Sequence, residues 1–110
     1  GKMPNLEVLT LWETKLNDEA FNEFGGLTKL KALNLKATTI TDESIDTLMK
    51  LQNLADLTVA GTQLSDDSFR KLGTRPKLKK VNVANTGIGF EVIDELAESN
   101  ENLEVIEFEN

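Results

Sequence analysis

The residues whose types and spacing suit chemistry are paired carboxylates, Asp42 with Glu43 and Asp66 with Asp67, a pattern fit for proton transfer or for holding a cation. They recur, with Asp18 and Glu19, directly after Asn17, Thr41 and Ser65. A side chain that caps free amides, followed by acids in the first helical turn, accounts for each pair as a helix start. A calcium loop requires several oxygen ligands at set spacing around a turn glycine, and that spacing does not occur. Gly87 and Gly89 form only a G-x-G, without the third glycine or flanking context of a dinucleotide site, and are read as turn residues. The chain has no cysteine and no histidine. That removes disulfides, thiolate metal sites, a cysteine nucleophile and the commonest base or metal ligand. No enzyme, cofactor or metal site is predicted.

A second group is basic: Arg70, Lys71, Arg75, Lys77, Lys79 and Lys80, with no acid between residues 68 and 90. It suits an acidic partner, or it matches charge within the fold, with Lys79 expected opposite Glu104. Matching is preferred, because Glu91, Asp94, Glu95, Glu98, Glu101, Glu104, Glu107 and Glu109 follow with no base among them. The net charge of −7 and the lack of aromatic interleaving argue against nucleic acid. No apolar run is long enough to span a membrane, and no leader is seen, so the expectation is no membrane insertion and a soluble protein, cytoplasmic or exported.

The elements that position these residues follow from a repeat. Leu6, Leu30, Leu54 and Leu78 recur every 24 residues, and Leu103 follows after 25. Three places on stand Leu9, Leu33, Leu57, Val81 and Ile106, and two further Leu11, Leu35, Val59, Val83 and Phe108. That alternation predicts short strands. Thr14, Thr38, Thr62 and Thr86 come next, then Leu16, Ile40, Leu64 and Ile88. Apolar pairs three apart, Phe21/Phe24, Ile45/Leu48, Phe69/Leu72 and Ile93/Leu96, predict helices over 18–24, 42–50, 66–72 and 90–98.

The series L-x-x-L-x-L-x-x-T-x-[LI] resembles the leucine-rich-repeat superfamily over nearly the whole chain, and TKLNDEAF, TTITDESI and TQLSDDSF resemble bacterial repeats. Thr stands where that family usually has Asn or Cys, so the polar ladder should make fewer bonds per residue. The fold class expected is an α/β leucine-rich-repeat solenoid, a right-handed superhelix with about five parallel inner strands and short helices on the convex side. Residues 1–110 are expected to form one domain. Met3, Pro4 and Asn5 occupy mid-repeat places and no polar cap is visible, so the domain is read as a segment of a longer array, with self-association through uncapped ends as the alternative.

Residues between the apolar strand positions must face outward. One row reads Val8, Ala32, Asp56, Lys80, Val105; the next Thr10, Asn34, Thr58, Asn82, Glu107; then Trp12, Lys36, Ala60, Ala84, Glu109. The resemblance implies a protein or peptide partner on this concave face. The residues expected to contact it are Val8, Thr10, Trp12, Asn34, Lys36, Asp56, Thr58, Lys80 and Asn82. Two alternatives stay open here: the Thr/Asn row bonding across rungs as a solvated face, and Trp12 lying against an upstream rung rather than serving as an anchor. The function expected is a non-catalytic protein-interaction module; the alternatives are spacer repeats, or the recognition part of a larger protein with a separate catalytic domain.

Overall fold

The computed structural model describes residues 6–12, 15–75 and 77–107. The expectations for Met3, Pro4, Asn5, Thr14, Phe108 and Glu109 lie outside them. The chain runs β1 (Val8–Thr10), α1 (Asp18–Phe21), β2 (Ala32–Asn34), α2 (Ile45–Lys50), β3 (Asp56–Thr58), α3 (Asp66–Leu72), β4 (Lys80–Asn82), α4 (Phe90–Ser99) and β5 (Glu104–Ile106). Short 3-10 turns extend α1 over Asn22–Gly26 and precede α2 over Asp42–Ser44. The predicted helices are therefore present, with the first two divided between α and 3-10 geometry.

The five strands form one parallel sheet in chain order, and Leu9, Leu33, Leu57 and Val81 line up as Cα partners on adjacent rungs. Strand residues Leu33, Leu57 and Val81 meet helix residues Phe21, Ile45, Phe69, Leu48, Leu72 and Leu96 in one buried core. Burying each such side chain contributes about 1.5–3 kcal/mol, which no single repeat could accumulate without a neighbour to cover it. Rung one shows the consequence: Leu6, Leu9, Leu11 and Leu16 are only partly buried, whereas their counterparts Leu30, Leu33, Leu35 and Ile40 are buried.

The fifth rung corrects the expectation. Lys80 pairs with Glu104, Val81 with Val105 and Asn82 with Ile106. Val105 therefore takes the core-facing place predicted for Ile106, Glu104 rather than Val105 ends the first outward row, and Ile106 rather than Glu107 ends the second. Backbone pairing continues at 24 residues, and the extra residue is taken up earlier, where α4 is longer than α3. A one-residue offset exchanges the two faces of a strand. Leu103 stays buried all the same.

The threonines hold their own turns. Thr38, Thr62 and Thr86 each donate from Oγ1 to the carbonyl three residues back, on Leu35, Val59 and Val83, at 2.8, 2.7 and 2.6 Å. A hydroxyl that would be costly to bury alone is thereby satisfied within its own repeat. Just before each threonine stands a left-handed residue, Ala37 at φ 59°, Gly61 at 72° and Asn85 at 54°. That reversal carries the chain from strand to helix side in every described turn.

Candidate functional site

The nine residues expected to contact a partner all lie on or just after the strands, in cross-strand order. Val8 is 63% and Trp12 49% exposed; Thr10, Asp56 and Lys80 are exposed, and Asn34, Lys36, Thr58 and Asn82 are half-buried. Strand alternation sets this arrangement, since each stands next to a side chain in or against the core, Leu9, Leu11, Leu33, Leu35, Leu57 or Val81.

Trp12 does not stand alone. The ammonium of Lys36, on the next rung, sits 5.2 Å from the centre of its ring, within cation–π range. Beyond that pair the same row shrinks to Ala60 and Ala84, both buried. The step leaves a depression of about 320 Å³ lined by Trp12, Asn34, Lys36, Thr58, Ala60, Asn82 and Ile106. A smaller hollow of about 140 Å³ lies between Val8, Thr10, Ala32, Asn34, Asp56 and Thr58. Ala60 and Ile106 line the depression but are not among the nine residues expected from the sequence. The drop from Trp and Lys to Ala along one row is a signal the sequence does carry; the place of Ile106 depends on the corrected register.

The Thr/Asn row departs from simple cross-rung bonding. Asn34 and Asn82 turn Oδ1 onto the backbone N–H two residues ahead, on Lys36 and Ala84, at 2.9 and 3.0 Å. These local bonds orient the segments that carry Lys36 and Ala84. Charge across the first row alternates, because Lys80 lies between Asp56 and Glu104. Lys80, not Lys79, thus faces Glu104. Within the rest of the basic run Arg70 is charge-matched, bonding Glu95 at 2.9 Å and Asp67 at 3.4 Å, whereas Lys77 donates to the neutral amide oxygen of Asn53 at 2.8 Å.

The helix-start carboxylates do more than offset a dipole. Asp18 accepts from Thr41 N–H at 2.8 Å, Thr41 Oγ1 at 2.7 Å and Ser44 Oγ, all in the following repeat. Asp42 does the same with Ser65 N–H at 2.8 Å and with Ser65 Oγ and Ser68 Oγ, both at 2.6 Å. Burial pushes both carboxyls up, but these donors outweigh it and hold each below its ordinary value, with Lys71 assisting at Asp42. Of the predicted caps, Asn17 and Thr41 do accept a backbone N–H, from Ala20 and Glu43. Ser65 does not; its hydroxyl is committed to Asp42. Asp66 is left with the Gly89 N–H at 2.9 Å. Among the described residues no cluster of three or more acids could hold a metal ion, and no helix is long and apolar enough to cross a membrane.

A parallel sheet in chain order, with a turn and short helix after each strand and leucines stacked at one spacing, is the geometry of a repeat fold, and comparison with solved structures agrees. Internalin C2 of Listeria monocytogenes superposes with a TM-score of 0.75 at 25% identity, covering 94% of this chain and 42% of that one. The fold is of the leucine-rich-repeat type. A second Listeria monocytogenes internalin, inlF, gives a TM-score of 0.63 at 17% identity over 98% of this chain and 36% of that one. The Mex67:Mtr2 structure from Chaetomium gives 0.70 at 16% identity, covering 94% of this chain and 80% of that one. This chain spans less than half of either internalin. No family model and no curated protein matches it.

Proposed function

We propose that this leucine-rich-repeat chain is a non-catalytic protein-interaction module whose sheet face receives a protein or peptide partner. The observation that carries the reading is Trp12: 49% exposed on a strand-side row, with Lys36 against its ring and the small Ala60 leaving a recess beside it. A half-exposed tryptophan bordering a recess is the kind of residue on which binding energy concentrates. Val8, Thr10, Asn34, Asp56, Thr58, Lys80 and Asn82 complete the contact surface, to which Ile106 is added.

In this reading the repeats are of the bacterial T-x-[IL]-T-D kind and wind as a right-handed solenoid with the sheet on the concave side, since strands pack closer than helices are wide. The 110 residues act as one domain within a longer array. The likeness to internalins supports an interaction role by fold only, and the chemistry of the face has to supply the rest.

The test is a triple substitution, Trp12→Ala with Asn34→Ala and Thr58→Ala, used as bait beside the unaltered chain. Proteins retained by the unaltered chain and lost from the variant, with an unchanged melting curve, support the assignment. Equal retention by both rejects the sheet face as the binding surface.

A further inference from the structure

Charge is sorted by edge in the middle of the stack. The acids that start helices, Asp42 with Glu43 and Asp66 with Asp67, lie on the edge where strands lead into helices. The opposite edge, where helices lead back into strands, is formed by residues 27–31, 50–55 and 73–79. These segments carry Lys29, Lys31, Lys50, Arg75, Lys77 and Lys79 and no acid. The five lysines are exposed and Arg75 is half-buried.

Stacking brings them together. Ala55 N–H donates to Lys31 O at 2.9 Å and Lys79 N–H to Ala55 O at 2.8 Å. Lys31 and Lys79 therefore stand two rungs apart, about 9–10 Å by strand spacing, with a small neutral residue between them. Lys29 and Lys77 flank Asn53 in the same way: Lys77 Nζ donates to Asn53 Oδ1 at 2.8 Å, and Asn53 Nδ2 donates to Thr28 O at 2.8 Å. A neutral amide does not cancel the charge. Among the described residues, only Lys31 of the six has a carboxylate within ion-pair distance, Glu7 at 3.4 Å, and both side chains are more than half exposed. Matching within the fold reaches Arg70 and Lys80 and leaves this edge basic.

The patch has its limits inside the chain. Glu7 borders it on the first rung, and Glu101 and Glu104 stand at and just before the start of β5. Further repeats would stack beyond β1 or β5 and leave this edge open, because each neighbour adds along the sheet. The borders also select the occupant. A nucleic-acid backbone is a long run of charge that would pass from the lysines onto the border acids, and the three segments offer no aromatic ring for a base. A second copy paired through this edge by a two-fold axis would set like charge on like, and joining its acidic edge here is a head-to-tail contact that does not close.

We infer that this edge docks a short acidic segment of a partner protein, its carboxylates facing Lys29, Lys31, Lys77 and Lys79. The lysines attract the segment, and the border acids fix its place by repelling any longer run of negative charge. This surface is distinct from the sheet face, so the two can fail separately.

The probe is a rhodamine-labelled peptide of alternating glutamate and serine, titrated by anisotropy into the full chain beside a lysine–serine counterpart and an oligothymidylate. The expected result is saturable binding of the acidic peptide, weakened by salt, with none of the basic peptide and weaker binding of the oligothymidylate. Lys77→Glu with Lys79→Glu should weaken it by roughly tenfold or more, and so should Lys29→Glu with Lys50→Glu on the other two segments. Lys77→Glu alone should weaken it more than Lys15→Glu, the same reversal on the opposite edge, and Trp12→Ala should leave it unchanged. Melting curves of the variants should match the unaltered chain, because these lysines are exposed. No binding, equal losses from Lys77→Glu and Lys15→Glu, or tighter binding of the oligothymidylate overturns the inference. Loss with Trp12→Ala overturns it by placing the peptide on the sheet face. So does a dimeric mass in solution that Lys77→Glu with Lys79→Glu converts to monomer, which assigns the edge to a second copy instead.

Discussion

Asp42 and Ser68 lie 26 residues apart in sequence, and the Ser68 hydroxyl donates to the Asp42 carboxylate at 2.6 Å. The bond ties the start of one helix to the first turn of the next, and Asp18 with Ser44 repeats it one rung earlier. At the third rung Gly89 and Val92 replace the two hydroxyl residues, and Asp66 accepts a single backbone N–H.

The ladder should therefore be unequal along the stack. Asp42→Ala, which strands two serine hydroxyls and a backbone amide, is expected to cost about 1–2 kcal/mol, on the scale of a lost helix cap. Asp66→Ala should cost less than half as much. Urea midpoints at constant m-value measure both.

Acid should loosen the stack through the same carboxylates. Asp18 and Asp42 titrate below their ordinary value in the folded chain, so the unfolded chain binds protons first as pH falls. Their contribution is complete above the unfolded aspartate value of about 3.9 and is lost as pH drops through the lower folded value. Replacing both by Asn should flatten the decline in stability as pH falls below about 4, followed by denaturant midpoints from neutral pH downward.

Ala37 occupies a left-handed turn position where the next repeat has Gly61. A methyl group there costs about 1–2 kcal/mol of backbone strain. Ala37→Gly should raise stability by about 1 kcal/mol, less than the full strain because glycine also loosens the unfolded chain. A melting temperature equal to or below that of the unaltered chain would contradict the prediction.

Gly73 ends α3 beneath Leu96, and a Cβ at this position would come within 2.2 Å of Leu96 Cδ2. Leu96 is 2% exposed and has little room to withdraw. Gly73→Ala should destabilise by about 1–3 kcal/mol through overpacking, whereas Gly87→Ala, with nothing within 4 Å, should be close to neutral. Parallel thermal melts distinguish the two.

Much of this architecture can be read from periodicity. Leucines at a constant interval, alternating in the strand and spaced by three in the helix, can bury their side chains only by stacking in phase, so Leu33, Leu57 and Val81 as adjacent rungs follow from spacing. The outward rows follow as well, because strand geometry places every second side chain on the far face. Thr10, Asn34, Thr58 and Asn82 as one row, and Trp12 beside Lys36, need no further information.

Three features needed the tertiary structure. The fifth rung keeps a 24-residue pairing although its leucine arrives after 25, since backbone hydrogen bonding and the longer α4 jointly decide where the extra residue goes; this turns Ile106 outward and Val105 inward. The Asp18 and Asp42 carboxylates could be placed at helix starts by sequence, but their partners sit in another repeat and depend on how the helices stack. The exposure of Phe90 and Ile93 depends on whether a neighbour covers α4. A local pattern specifies what each repeat buries, whereas register and neighbours are properties of the assembled stack.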